Sequence, residues 1–385
     1  MNTLNNIYYN ILFLSLMIGL ICCKSPSIDK KHEVNKIGNN KCCETSIDSK
    51  YIENIFSEYT LNTKPLNKDS SVSISEMKFI KGGIFYMGSD NEELALAREL
   101  PKHLVEVNSF WMDVHEVTNK QFSDFVDATG YETTAEKTLK WDELKKDFPI
   151  NTPKPGDDFF SPGSLVFKSP IKTDNLVDFS QWWFWIKGAN WRHPNGPKSN
   201  IEGKENYPVV HVSYFDAVNY AKWCGKRLPT EAEWEFSARG GLENNLYPWG
   251  NNFLVNNIAQ CNYWTGSFPV NNTKKDGYEG IAPIMQYSPN AYGLHDMSGN
   301  VWEICADWFD EDYYKSLVAD EITKNPSGPK KWKYSAEPRD PKRVMKGGSF
   351  LCNESYCSSY RVSARMPNSQ NSSASHIGFR CVKDI

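Results

Sequence analysis

Apolar and polar positions alternate along residues 103–107, which predicts a strand, and Phe110, Trp111 and Met112 predict a second one just after it. Upstream, residues 79–88 read as a short hairpin turning at Gly82 and Gly83. The period then becomes helical. Thr118 and Gln121 form a capping box, Phe122, Phe125 and Val126 make one apolar face, and Gly130 stops the helix. The same grammar recurs twice. Ser213 with Asp216 opens a helix that buries Ala217, Tyr220, Ala221 and Cys224 and ends at Gly225. Thr230 with Glu233 opens another that ends at Gly240 and Gly241. Residues 208–212 read as a short buried strand, with His211 a satisfied core histidine rather than a ligand.

Elsewhere the periodicity fails. Residues 132–206 are long, aromatic and irregular, with Trp182, Trp183, Phe184 and Trp185 in a row and Trp191-Arg192-His193-Pro194 further on. A stretch of that kind inside a domain is either a wrap over the core or part of a substrate groove. Beyond Trp249 turn signals dominate, and residues 310–343 are polar and read as an exposed loop. No period repeats along the chain, so one ordered domain over residues 76–385 is the simplest organisation.

Composition agrees with a loop-rich α+β chain. Thirteen Trp, 24 Gly and 21 Pro in 385 residues describe loops pinned by large rings rather than long helices. A net charge of −4 gives no basic face for nucleic acid. Ten cysteines are too few at this length for a disulfide mini-scaffold.

The N-terminus changes the picture of where the domain works. Residues 11–23 are apolar, about the length of a signal-peptide core and short for a membrane span. Leu20-Ile21-Cys22-Cys23 looks like a lipobox, with Cys23 the better lipidation candidate. The first ten residues carry no Lys or Arg, unlike an ordinary signal. A plain secretory signal and a short anchor are the alternatives; all three export the domain. Residues 1–23 are therefore expected to be signal and lipobox, and the polar residues 24–75 a flexible tether. The expected location is periplasmic or cell-envelope, or secreted. Cys42 and Cys43 in the tether read as incidental.

Candidate chemistry concentrates near the C-terminus. Cys352 and Cys357 stand five positions apart, so on a straight strand they face opposite sides. Their thiols converge only if the chain bends, and Asn353, Glu354 and Ser355 suit a bend. Gly347 and Gly348 allow close backbone approach just upstream. Converging thiols serve as a disulfide, a soft-metal site or a redox pair.

Three blocks together resemble the formylglycine-generating enzymes, or sulfatase-modifying factors. They are residues 225–235 (Gly225-Lys226-Arg227-Leu228-Pro229-Thr230 through Glu235), residues 292–303 (Tyr292-Gly293-Leu294-His295-Asp296-Met297 through Glu303), and the segment from Lys346 to Arg365 closed by residues 372–381. The likeness runs from about Met77 to the end. It implies a single-domain α+β fold of low regular secondary structure, distantly C-type-lectin-like. It implies an oxidase that uses dioxygen and copper (Cu(I)/Cu(II)) to convert a sulfatase cysteine, in a Cys-x-Pro-x-Arg motif, to Cα-formylglycine. Cys352 and Cys357 would hold Cu(I), with the substrate cysteine as a third sulfur. Hydrogen abstraction at the substrate Cβ would give a thioaldehyde that water converts to the aldehyde. Ser349 would position water or oxygen, and Trp302 would wall the pocket.

The resemblance also implies two calcium sites: Asn262, Tyr263, Asp276 and Tyr278, and Asp296, Gly299, Val301 and Glu303, with Glu116 joining the first. The expected partner is an unfolded or partly folded sulfatase polypeptide, and the protein is expected to be a monomer. Some disulfide positions of animal members are here Ala221, Ala238 and Val362; Cys381 keeps its family position, and Cys224 is offered as its partner. The alternative reading is a non-catalytic envelope lipoprotein of the same fold, a scaffold or binding module, which has no need of the cysteine pair. A histidine–iron relative ranks last, for want of a spaced His pair with a carboxylate.

Overall fold

The computed structural model describes residues 76–145, 151–173, 175–317 and 321–385. The signal-like stretch with Cys22 and Cys23, and the tether with Cys42 and Cys43, lie outside the described residues. Four strands open the domain: β1 (Met77–Ile80), β2 (Gly83–Met87), β3 (His103–Val107) and β4 (Phe110–Asp113). They do not pair as a hairpin. β1 pairs antiparallel with β4, and β2 with β3, so the two halves of the expected 79–88 hairpin enter different sheets. Gly82 shows why. A Cβ there would lie 2.2 Å from the Val107 carbonyl oxygen and 2.6 Å from the Ser109 nitrogen. The β1–β2 link therefore lies directly on the β3–β4 link, and the Gly82 N–H donates to Ser109 Oγ at 3.0 Å.

The helices follow the sequence closely. In α1 (Asn119–Thr129), α2 (Tyr214–Trp223) and α3 (Glu231–Arg239), the side chains of Thr118, Ser213 and Thr230 accept from the backbone N–H three residues on. Gly130 and Gly240 close α1 and α3 in the left-handed region. Residues 208–212 are buried but form no strand beyond a bridge from Pro208 to Thr118. His211 has φ +60°, which breaks the extended run; both its ring nitrogens are hydrogen-bonded, to Ser164 Oγ and to the Pro194 carbonyl, each at 2.8 Å.

The irregular segment contains an antiparallel ribbon of β5 (Gly163–Phe167) and β6 (Trp183–Lys187). A smaller ribbon joins β7 (Gly266–Ser267) to β8 (Asn271–Asn272). The central sheet follows, from β9 (Trp302–Trp308), β11 (Lys342–Lys346), β12 (Met366–Ser369) and β13 (Ile377–Gly378), in the order β12-β11-β9-β13. The 310–343 region is largely loop, but β10 (Thr323–Lys324) adds in parallel to β3. The last strand, β14 (Val382–Lys383), pairs with β4 and ties the C-terminus to the start of the domain.

Successive residues of the central sheet serve opposite cores, as strand geometry requires. Ile304 and Met345 join the cluster around α1, α2, Trp182, Trp191 and the paired cysteines. Cys305 and Val344 join the one around Trp234, Phe309 and Met112. Buried ion pairs brace the layers: Arg380 to Glu303 at 2.6 Å, Arg365 to Glu231 at 2.7 Å and Lys346 to Glu235 at 2.8 Å. Removing one partner from such a pair costs about 3–5 kcal/mol, because the other charge is left buried alone.

Candidate active site

β11 delivers the chain to Gly347 and Gly348, at φ +90° and +73°. A Cβ on Gly348 would lie 2.9 Å from the Tyr360 nitrogen and 3.0 Å from the Ser359 carbonyl oxygen. Only glycine lets the strand entering the cysteine loop cross the chain leaving it. The loop then tightens at once. The Cys352 N–H donates to the Ser349 carbonyl at 2.9 Å, and the Ser349 N–H points to Cys352 Sγ at 3.4 Å.

Asn353 is the hub of the expected bend. Its carbonyl accepts from the N–H groups of Tyr356 and Cys357, at 3.1 and 2.8 Å. Its Oδ1 accepts from the Ser355 N–H at 2.9 Å and the Ser355 hydroxyl at 2.6 Å. Its Nδ2 donates to the carbonyls of Trp264 and Gly266, at 3.0 and 3.1 Å, which anchors the bend to the β7 segment. The result is a Cys352 Sγ to Cys357 Sγ separation of 2.9 Å, with both cysteines free. That exceeds the about 2.05 Å of a disulfide. It is too short to bracket an ion in line at about 2.3 Å per metal–thiolate bond. The two thiols are in direct contact. Burial pushes the Cys352 thiol well above its ordinary range, and the neighbouring Cys357 adds to the rise.

The pair lines a cavity of about 30 Å³, together with Ser349, Trp302, Trp183 and His376. That is room for one water-sized molecule. Cys357 is 7% exposed and Cys352 1%, so Cys357 is the outer sulfur. Trp302 opens β9, and its N–H donates to the His376 carbonyl at 2.9 Å. Phe268 stacks on Tyr356 at 4.5 Å between ring centroids and shields the loop. Burial, with His211 nearby, pushes His376 down to about 3 and keeps its ring uncharged.

A groove of about 850 Å³ shares this region through Trp264 and Phe350. The Trp264 N–H donates to the Cys352 carbonyl at 2.9 Å. Trp191, Pro194, Ile201 and Lys204, all from the irregular segment, line it too. Trp182, by contrast, is fully buried. The segment is thus both a wrap over the core and a groove wall.

The calcium candidates gather in two adjoining sets. In the first, Asp276 accepts from the Tyr263 N–H at 3.0 Å and the Tyr278 N–H at 3.3 Å, while Asn262 Nδ2 donates to the Gly280 carbonyl at 2.8 Å. In the second, Asp296 accepts from the Met285 N–H at 2.7 Å. Glu303 is forked by Arg380 at 2.6 and 2.7 Å and also accepts from Trp234 Nε1 at 2.7 Å. A Cβ on Gly299 would lie 2.1 Å from the Asn262 carbonyl oxygen, so glycine permits the two sets to meet. Val301 is fully buried beside them.

Glu116, expected with the first set, is linked to it through Asn300, whose Oδ1 accepts from Asn262 Nδ2 at 3.1 Å. Its charged neighbours are Asp296, Arg380 and Glu303, and the two acids among them belong to the second set. Its Oε1 accepts from Asn300 Nδ2 at 3.0 Å, and its Oε2 is buried without a partner. Burial, then the charge of Asp296, drives its carboxyl well above the ordinary range. Among the described residues no three His, Cys, Asp or Glu side chains form a metal cage, so either set would lean on backbone oxygens. Cys224 and Cys381 lie in hydrogen-bond contact as free thiols, and Cys305 is a buried apolar thiol.

His376 is a cavity residue to which sequence reasoning gave no role. It stands inside a quoted family block, but nothing in its spacing marks it; only the cavity does.

Residues 63–385 match the family model described as the sulfatase-modifying factor enzyme 1-like domain. The formylglycine-generating enzyme of Mus musculus is 44% identical over 313 residues, covering 81% of this chain and 76% of that protein. That of Thermomonospora curvata is 44% identical over 80% of this chain and 93% of its own. A Mus musculus protein named inactive C-alpha-formylglycine-generating enzyme 2 is 36% identical, covering 79% of this chain and 84% of its own. Among solved structures, PvdO from Pseudomonas aeruginosa has a TM-score of 0.52 at 22% identity, over 80% of this chain and 94% of that one. That likeness concerns the fold.

Proposed function

The chain belongs to the sulfatase-modifying factor family, and from that premise we propose that it is an active, sulfatase-activating enzyme. It oxidises a cysteine in a Cys-x-Pro-x-Arg segment of a sulfatase to Cα-formylglycine with dioxygen. One observation carries this reading above the fold: two free cysteines 2.9 Å apart in the wall of a water-sized cavity. A relative named inactive shares the family, so membership alone does not supply activity. A scaffold or binding module tethered to the envelope would need the fold but not the paired thiols.

The donors fit copper in kind: two soft sulfurs, and no carboxylate among the cavity residues. Cys352 and Cys357 would hold Cu(I) by giving up their protons. When bound, copper supplies the one-electron chemistry that dioxygen needs. The rest falls to the chain's own residues. Ser349 fixes the inner sulfur through its N–H and offers a hydroxyl to oxygen or water. Trp302 and Trp183 keep bulk water out. The groove beside Trp264 and Phe350 would take the sulfatase segment in extended form. Converting the thiol to the aldehyde and hydrogen sulfide removes two electrons from the substrate. Reducing dioxygen to water takes four, so two more come from an external thiol reductant.

Calcium would brace the two loop sets. Glu116, Asp296 and Glu303 face one arginine, a surplus of negative charge that a divalent cation offsets. The apolar N-terminus supports export, with Cys23 as the lipid-bearing residue of a cell-envelope lipoprotein and secretion as the alternative. The test is co-expression with a sulfatase that carries the Cys-x-Pro-x-Arg motif. Sulfate-ester hydrolysis should rise with the wild-type chain and stay at background with Cys352→Ser or Cys357→Ser. Equal activation by a folded serine variant would leave the scaffold reading in its place.

A further inference from the structure

One side chain in the cavity wall has no task in this scheme. The backbone at His376 is fixed from two sides. Towards β5, the Ser375 N–H donates to the Leu165 carbonyl at 2.9 Å, and the Phe167 N–H to Ser375 Oγ at 3.2 Å. Towards β9, its own carbonyl takes the Trp302 N–H at 2.9 Å. The ring lies 4.7 Å from that of Trp183, tilted by 40°.

Thus placed, the imidazole is 2% exposed and forms no hydrogen bond among the described residues; Nδ1 is enclosed with no partner. An unsatisfied buried polar group costs about 1–3 kcal/mol. The fold does not impose this everywhere, because the equally buried His211 has both ring nitrogens paired. The cavity that His376 lines with the two sulfurs is only about 30 Å³. The ring and both sulfurs thus line one cavity no larger than a water molecule. Imidazole nitrogen suits copper, and an uncharged ring offers an electron pair without repelling a cation.

We propose that His376 is the third donor of the dithiol centre, an imidazole nitrogen that completes the site around the ion until the substrate sulfur replaces it. The inference rests on the copper reading above. It makes substrate entry an exchange of nitrogen for sulfur rather than an addition to a two-coordinate ion.

The experiment is X-ray absorption on the full chain loaded anaerobically with Cu(I), paired with competition against a chromophoric Cu(I) chelator. Wild type should show one nitrogen scatterer beside two sulfurs. His376→Asn and His376→Phe should lose that nitrogen, keep both sulfurs, and bind Cu(I) at least about tenfold more weakly. A sulfur-only spectrum in the wild type overturns the proposal, whether or not the variants fold. So does unchanged affinity in both variants. Failure of wild type to take up copper, or retention of copper by Cys352→Ser with Cys357→Ser, would instead remove the dithiol reading itself.

Discussion

Burial sets the proton affinity of Asp307, Cys352 and His376. Asp307 shows the effect away from the cysteines. It is fully enclosed, accepts the Glu231 N–H at 2.8 Å, and is pushed up to about 8, by burial first and then by the charge of Glu231. The folded chain therefore binds a proton there that the unfolded chain releases near the ordinary aspartate value. The corresponding stability is complete below that ordinary value and is lost as pH rises towards about 8. The wild-type melting temperature should thus fall between about pH 4 and about pH 8. Asp307→Asn, which keeps an acceptor for Glu231 but cannot titrate, should flatten that fall. Identical slopes in thermal melts of the two proteins would contradict the assignment. The same scale marks a limit of sequence reading. Cys352, Cys357 and Asn353 could be singled out because spacing and turn chemistry are local. His376 could not, because its meaning comes from Trp183 and the sulfurs across the cavity.

Among elements, what the sequence conveys is what neighbours along the chain decide. The three capping boxes and their glycine stops are visible because each is complete within a dozen residues. The bend at Asn353 is visible for the same reason. The crossing at Gly82 is not, because its cause lies at Val107 and Ser109. Residues 208–212 have the composition of a strand, yet His211 at φ +60° breaks it, held by Ser164 and Pro194 from the irregular segment. Gly348 links element to chemistry, since it lets the two limbs of the cysteine loop cross. Gly348→Ala should cost about 1–3 kcal/mol through its positive φ and the contact with the Ser359 and Tyr360 backbone. Cu(I) retention should fall with it, because the two sulfurs sit on that loop. Wild-type stability together with wild-type copper content would show that the crossing does not set the dithiol geometry.

At the scale of the molecule, long stretches without helix or sheet are held by buried ion pairs and by the two adjoining loop sets around Asp276 and Asp296. An ion that binds only the folded state stabilises it by mass action. Chelation of calcium should therefore lower the melting temperature by several degrees, and added calcium should restore it. An unchanged melt in chelator would remove calcium from the account while leaving the cysteine pair untouched. The family and the single-domain α+β fold are carried by blocks of sequence, and the bend that brings Cys352 to Cys357 by local turn residues. The groove, the cavity and the nearness of Glu116 to Asp296 and Glu303 are not, because each joins segments a hundred or more residues apart.

We propose that these two sulfurs make the chain an oxidase. The most direct measurement is the mass of a Cys-x-Pro-x-Arg peptide after aerobic incubation with the copper-loaded protein and a thiol reductant. Wild type should replace the peptide's thiol with an aldehyde, while Cys352→Ser and Cys357→Ser leave its mass unchanged. An unmodified peptide with copper-loaded wild type, or conversion by either serine variant, would contradict it.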